Sequence, residues 1–443
     1  MNKLKKRSSI LLYGCAGFGI NMLNLIVGSY LCSALLVGGF KENVENWTYL
    51  NRDLVIAGIW SVLILLAKVL DGIIDIPLSS FTDNLKTKWG RRRPAILIGY
   101  IPTIIAYLLF LLPIRPESGL GNTIWFAVIL CLFYTSYTLT MLTYYGTFAE
   151  ILDNDSDRVF LANVKSVCDV VYFILGYALI PVFVGMGMNI RIVALIFLPF
   201  ALTMLIPLFM IKEKSTKEPG ALEAAGEAKG AGLVKSLSVS FKNRSFIYWL
   251  CVVFVMNFGL QLFLSGINEF FSSTGLNMTI VMACSFAPVP LTILLYNRIV
   301  SRHGMKTGFQ YVMLVFSIAM VLMYVCIKTA ASMAQLSIMA AVGGLIASFA
   351  IGAFFSITYT VPSQLAADEN ARSGICASSM YFAIEGLFEG ISAGIASGLV
   401  LVWLKEHDAA SYITLIVAAA CMAAFVMAFF LPKDIRLMGK KSR

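Results

Sequence analysis

Residues 68–94 read KVLDGIIDIPLSSFTDNLKTKWGRRRP, with Lys68, Asp71 and Asp75 inside an apolar run and Asp83, Lys86, Lys88, Arg91, Arg92 and Arg93 in the polar stretch after it. Residues three and four apart share one face of a helix, so Lys68, Asp71 and Asp75 form a single stripe. The run that carries them, residues 53–80, is long enough to cross a bilayer, which needs about 20 apolar residues. A charge near the bilayer centre costs about 2.5–3.5 kcal/mol on insertion scales, and it is kept where it faces water, a partner or an ion. Two carboxylates on one stripe make a site for a small hard cation or a proton. The alternative is a Lys68–Asp71 ion pair that pins the helix to its neighbours.

The whole chain has the composition this stretch implies. Of 443 residues, 59% are hydrophobic and 13% charged, and the mean hydropathy is +0.83. Soluble domains carry about 25% charged residues, which excludes a single water-soluble core. The apolar runs are long and continuous, without the period-two alternation of an outer-membrane barrel. They predict twelve spans, at 9–38, 53–80, 94–114, 122–150, 160–188, 190–211, 245–271, 277–300, 306–328, 333–363, 373–404 and 410–431. The run at the N-terminus has no signal-cleavage pattern and reads as a retained first helix. An even count puts both termini on one side. The net charge of +10 gathers near Lys3–Arg7, Lys86–Arg93 and Lys433–Arg443, between apolar runs. Such a distribution marks the cytoplasmic side of a plasma-membrane protein rather than a face for nucleic acid. Nine scattered cysteines, none in a CxxC pair, argue against a disulfide framework or a zinc site.

Between the sixth and seventh spans, Lys212–Asn243 is polar and without apolar period, a cytoplasmic linker. It separates an N-terminal bundle, 1–211, from a C-terminal bundle, 244–443, across a linker at 212–243. Leu233–Phe241 alternates enough to form a short surface helix. The two bundles share a repeat. Asp83, Lys88, Gly90 and Arg92 match Asn297, Arg302, Gly304 and Lys306 at an offset of 214 residues, and Glu150 and Arg158 match Gln364 and Arg372 at the same offset. Two six-helix halves made by duplication describe an all-α polytopic protein with the major facilitator architecture.

The stretch from Lys68 through Asp71, Asp75 and Asp83 to Lys88-Trp-Gly-Arg-Arg-Arg-Pro94 resembles the signature of the glycoside-pentoside-hexuronide:cation symporters, the melibiose-permease-like branch of the major facilitator fold. Glu150-Ile-Leu-Asp153 to Arg158 and the layout of the spans extend the likeness. The resemblance implies a secondary transporter of a sugar or glycoside-like solute, coupled to Na+ or H+ by alternating access, with no cofactor. Its Asp71 and Asp75 would hold the coupling cation. Where galactoside-transporting members have acids on helices 1 and 4, this chain has Asn21 and Met141. Asn21 remains a candidate for the solute. Tyr145 falls where such members have a stacking aromatic, and is the second candidate.

Where the family places a lysine in span 11, this chain has Glu385 and, one turn on, Glu389. These two acids, with Lys68 and with Lys165 and Asp169 of span 5, are candidates for protonation or charge pairing. Asp83, Arg91, Arg92, Glu150, Asp153 and Arg158 are expected to form a cytoplasmic gating network joining the ends of spans 2, 4 and 11, with Arg92 meeting Glu150 or Asp153. The glycines Gly14, Gly17 and Gly19 follow no strand and suit close helix packing rather than a dinucleotide. No Walker, HExxH or GxSxG pattern is present, so no enzyme is expected. The expected partners are a small-molecule solute and membrane lipids, with the protein a monomer. Two rivals are a transporter of an amphipathic lipid or drug-like molecule, and a non-transporting membrane receptor or scaffold.

Overall fold

The structure, a computed structural model, describes residues 3–4, 6–37, 44–217, 229–230, 232–265, 281, 284–407 and 409–440. Helices dominate it. Among the described residues, nine are long and apolar enough to cross a membrane: Arg7–Leu31, Arg92–Phe110, Leu120–Ala149, Asp155–Gly176, Ile190–Met210, Arg244–Leu264, Met305–Thr329, Met333–Ser373 and Ile413–Phe430. Two further expected spans are helical but carry intramembrane acids. These are Ala57–Asn84, with Asp71 and Asp75, and the run Ser378–Gly394, Ile395–Val400 and Leu401–Glu406, with Glu385 and Glu389. The eighth span is described over Val289–His303, and residues 266–280 before it lie outside the described residues. Leu233–Lys242 is the short helix expected next to the linker. Among the described residues, the strand pairing is a two-residue parallel one of Lys229–Gly230 with Ile375–Cys376.

Helix contacts are close at some of the glycines. A Cβ on Gly19 would strike the carbonyl of Phe200, and one on Gly99 the backbone of Ser136 and Thr140. The first contact draws the first and sixth spans together, and Thr203 Oγ1 reinforces it by donating to the Ala16 carbonyl at 2.9 Å. Without a hydrophobic drive between helices in lipid, such backbone approach supplies the packing.

The chain divides into two compact units. One comprises Met1–Asp153, Cys168–Ser236 and Glu369–Ala383; the other comprises Asn154–Val167, Leu237–Asp368 and Ile384–Arg443. Relative to a single cut in the linker, each unit takes in one short segment from the other half of the sequence. Adding 214 to 154 and 167 gives 368 and 381, which nearly coincides with Glu369–Ala383. The segments taken in therefore obey the same internal repeat as the loops.

The repeat is also visible in the backbone. Gly90 and Gly304 have φ of 87° and 91°, a left-handed conformation that glycine adopts without strain. Each stands just before a helix, Arg92–Phe110 or Met305–Thr329. Each also presses on the chain that follows the last span of its own unit. A Cβ on Gly90 would strike Glu213, and one on Gly304 would strike the carbonyl of Arg436.

Candidate functional site

Two polar clusters stand out in the first unit. One lies at the ends of its spans. Arg92 opens the helix Arg92–Phe110 and is fully buried. Its Nη1 lies 2.7 Å from Oδ1 of Asp83 and donates to Ser379 Oγ at 2.8 Å. Its Nη2 pairs with Glu150 Oε1. Arg91 approaches the other oxygen of Glu150 at 3.4 Å, and the Cys376 thiol donates to Glu150 Oε1 at 3.1 Å. Thr82 Oγ1 donates to Ser379 Oγ at 3.1 Å. A side chain at position 146 would collide with Ser379 Oγ, so Gly146 leaves the room in which Arg92 reaches Ser379.

The chain after the sixth span braces this cluster. Glu213 accepts the backbone N–H of Arg92 at 2.9 Å and of Arg93 at 3.3 Å. These are two of the four donors a helix N-terminus leaves unpaired, and a carboxylate there also suits the helix dipole. Thr216 Oγ1 accepts from the N–H of Thr87 and donates to the Leu85 carbonyl, each at 3.0 Å. Burial raises the Glu150 carboxyl, but Arg91 and Arg92 outweigh it and hold the group well below the usual carboxylate range. Burial, then the charge of Glu150, pushes Glu213 up. Asp83, Glu150 and Cys376 converge closely enough to ligate a metal ion. Arg92 already compensates both carboxylates.

The second cluster lies within the membrane helices. Asn21, 4% exposed, donates from Nδ2 to Asp169 Oδ1 at 3.1 Å, and its Oδ1 accepts from the Tyr137 hydroxyl at 3.0 Å. Asp169 is 1% exposed. The chain Tyr137–Asn21–Asp169 joins spans 4, 1 and 5 through side-chain hydrogen bonds. Met141, one turn after Tyr137, is buried and apolar.

The other expected site residues distribute as follows. Lys68 and Asp71 have side chains outside the described residues, and Asp75 is half-buried on the same helix. Tyr145 is half-buried among Tyr144, Phe148 and Phe382, with ring centroids 5.7, 5.8 and 5.8 Å away. Asp153 faces Lys3 at 3.5 Å, and Arg158 takes Asp155 at 2.9 Å. In the second unit, fully buried Lys165 lies 4.9 Å from the centroid of the Tyr359 ring. Glu385 is buried against Trp249, and Glu389 is half-buried. Sequence reasoning missed Gly146, Glu213, Thr216, Cys376 and Ser379. Only Glu213 left a trace, as the first acid after a span.

A bundle of apolar helices with an internal duplication and paired acids in its spans defines a multi-pass membrane transporter rather than an enzyme. The chain belongs to the MFS/sugar transport protein family, whose model matches residues 12–426. It is 30% identical over 107 residues to the lactose permease of Lactobacillus helveticus, a match covering 23% of this chain and 16% of that relative's length. Among solved structures, it resembles the major facilitator superfamily transporter FucP in the outward conformation. That likeness has a TM-score of 0.63 at 15% identity, over 96% of this chain and 98% of that one. A bacterial homologue of the iron transporter ferroportin, outward-facing with soaked iron, also has a TM-score of 0.63, at 12% identity over 97% and 99% of the two chains. These likenesses establish the major facilitator fold, all-α with twelve spans in two bundles.

Proposed function

We propose that the protein is a plasma-membrane symporter that carries a sugar or glycoside-like solute by alternating access, coupled to Na+ or H+, with both termini in the cytoplasm. The observation that carries this reading is the Tyr137–Asn21–Asp169 chain, in which buried Asn21 and Asp169 meet half-buried Tyr137, an intramembrane row of hydrogen-bonding groups of the kind hydroxyls recognise. The match to a sugar-transport family and to part of a lactose permease supports the solute class. Asp71 and Asp75 supply the coupling-cation stripe, and Tyr145 offers an aromatic face to the solute. The cluster around Arg92 acts as an inner gate, closed when its charges are buried and paired.

Uptake into vesicles of the purified protein tests this, with imposed sodium or pH gradients and a panel of sugars and glycosides. Gradient-driven accumulation of a sugar is expected, with KM raised by Asn21→Ala. Thermal stabilisation by lysolipids or hydrophobic cations and by no sugar would instead identify an amphipathic cargo. No flux under any gradient would leave a receptor or scaffold.

A further inference from the structure

The second unit contains a pair of acids to which the solute and sodium chemistry above gives no task. Glu385 is 3% exposed on the helix Ser378–Gly394, and Glu389 follows one turn later, half-buried. Oε1 of Glu385 accepts the indole N–H of Trp249 at 3.0 Å. Trp249 is itself fully buried on the helix Arg244–Ser265 and packs edge-on against Phe309, with centroids 6.0 Å apart. Oε2 of Glu385 is buried without a hydrogen-bond partner among the described residues. Two turns beyond Trp249, Asn257 donates to the carbonyl of Glu389 at 2.8 Å and to Ser392 Oγ at 2.7 Å. It thereby fixes the helix just before its π-helical stretch Ile395–Val400.

An ionised carboxylate buried without a cation costs several kcal/mol, more than one neutral indole donor returns. Among the described residues, no lysine or arginine forms an ion pair with either acid. Glu389 lies one turn along the same helix from Glu385. The packed helix Arg244–Ser265 presents Trp249 and Asn257, and Met305–Thr329 brings Phe309 against Trp249, none of which titrates.

We propose that Glu385 and Glu389 together hold one proton, forming a proton-binding site in the second unit distinct from the Asp71–Asp75 stripe. Trp249 orients Glu385 so that Oε2 carries the proton. Glu389, the less buried of the two, exchanges it with water. Both carboxylates ionised at one turn's spacing repel in a low-dielectric setting, so the pair titrates as a unit. The effect on flux rests on the transport reading; proton binding does not.

Infrared spectroscopy of the purified protein at neutral pH tests the site without any solute. The wild type is expected to show the carbonyl stretch of a protonated carboxyl that disappears in Glu385→Gln. Trp249→Phe, which keeps the acid and removes its donor, is expected to shift that band to higher frequency, a second readout should Glu385→Gln fail to fold. A spectrum unchanged by both substitutions overturns the proposal. In vesicles, Glu385→Gln is expected to keep solute counterflow and lose accumulation driven by a pH gradient; unimpaired pH-driven accumulation overturns the coupling role. If the wild type moves no solute at all, the transport reading fails while the infrared result still decides the proton site.

Discussion

Gly90 and Gly304 stand 214 residues apart in the same left-handed backbone, each pressed against the chain leaving the last span of its unit, yet the chemistry around them differs. In the first unit, Asp83, Arg92 and Glu150 form a buried ionic cluster. Their equivalents in the second unit are Asn297, Lys306 and Gln364. Asn297 accepts from Asn163, whose own Oδ1 accepts from Ser356 at 2.6 Å. Gln364 donates to the Asp155 carbonyl at 3.3 Å, and Lys306 lies 5.3 Å from the Phe429 ring centroid. The fold thus requires the glycine turn and a polar contact in both places. It does not require buried charge, because amides serve in the second unit. Buried ion pairs seldom add net stability over a neutral replacement. Charge retained on one side only is therefore better explained by function. Burying and hydrating ions changes free energy far more than burying and hydrating amides, which is what the proposed gate needs for two well-separated states.

The largest expected effect tests that asymmetry. Arg92→Ala leaves Asp83 and Glu150 buried without their shared cation and should cost about 3–5 kcal/mol. Lys306→Ala, at the equivalent position, should stay within about 0.5 kcal/mol. Thermal unfolding of the two variants in one detergent compares them, and equal losses would erase the contrast. The glycines come next. Ala at either position is strained by the positive φ and should cost more than about 1 kcal/mol. Gly304→Ala should lose more than Gly90→Ala, because it meets a backbone carbonyl rather than the Glu213 side chain.

The pH dependence is subtler. Glu150 sits below its unfolded value, so its contribution is full above the ordinary carboxylate range and is lost as pH falls through the lower folded value. The deficit of Glu150→Gln in thermal unfolding should therefore be widest near neutrality and narrow in strong acid. A gap that widens with acid would reverse the sign. Lys3→Ala, which removes an exposed pair with Asp153, should change stability by about 0–1 kcal/mol and sharpens the contrast with Arg92.

Much of this was legible in the sequence where spacing alone decides. The offset of 214 anticipated both the paired glycines and the registry of the segments each unit takes in. Asp83, Arg92 and Glu150 were identifiable because a basic loop and acidic span ends must lie at the same membrane surface. Glu213 was not, since its stretch reads as linker and its capping of Arg92 spans 121 residues. Nor were Cys376 and Ser379, small neutral residues whose role comes from what they touch. Asn21 was marked as a hydrogen-bonding residue, but its partners Tyr137 and Asp169 lie on helices 116 and 148 residues away, and their relative rotation is set by packing. Span ends were read from charge. Met333–Ser373 runs ten residues past its expected end at 363, because Asp368, Glu369 and Arg372 end the apolar run without ending the helix.

Cys376 offers the most direct view of the proposed gate. Its thiol is fully buried and donates to Glu150. In vesicles holding a variant that retains Cys376 and no other cysteine, alkylation from the cytoplasmic side should be slow at rest and accelerate while solute moves down a gradient. Alkylation that is rapid at rest, or unaffected by flux, would mean that this cluster does not open and close during transport.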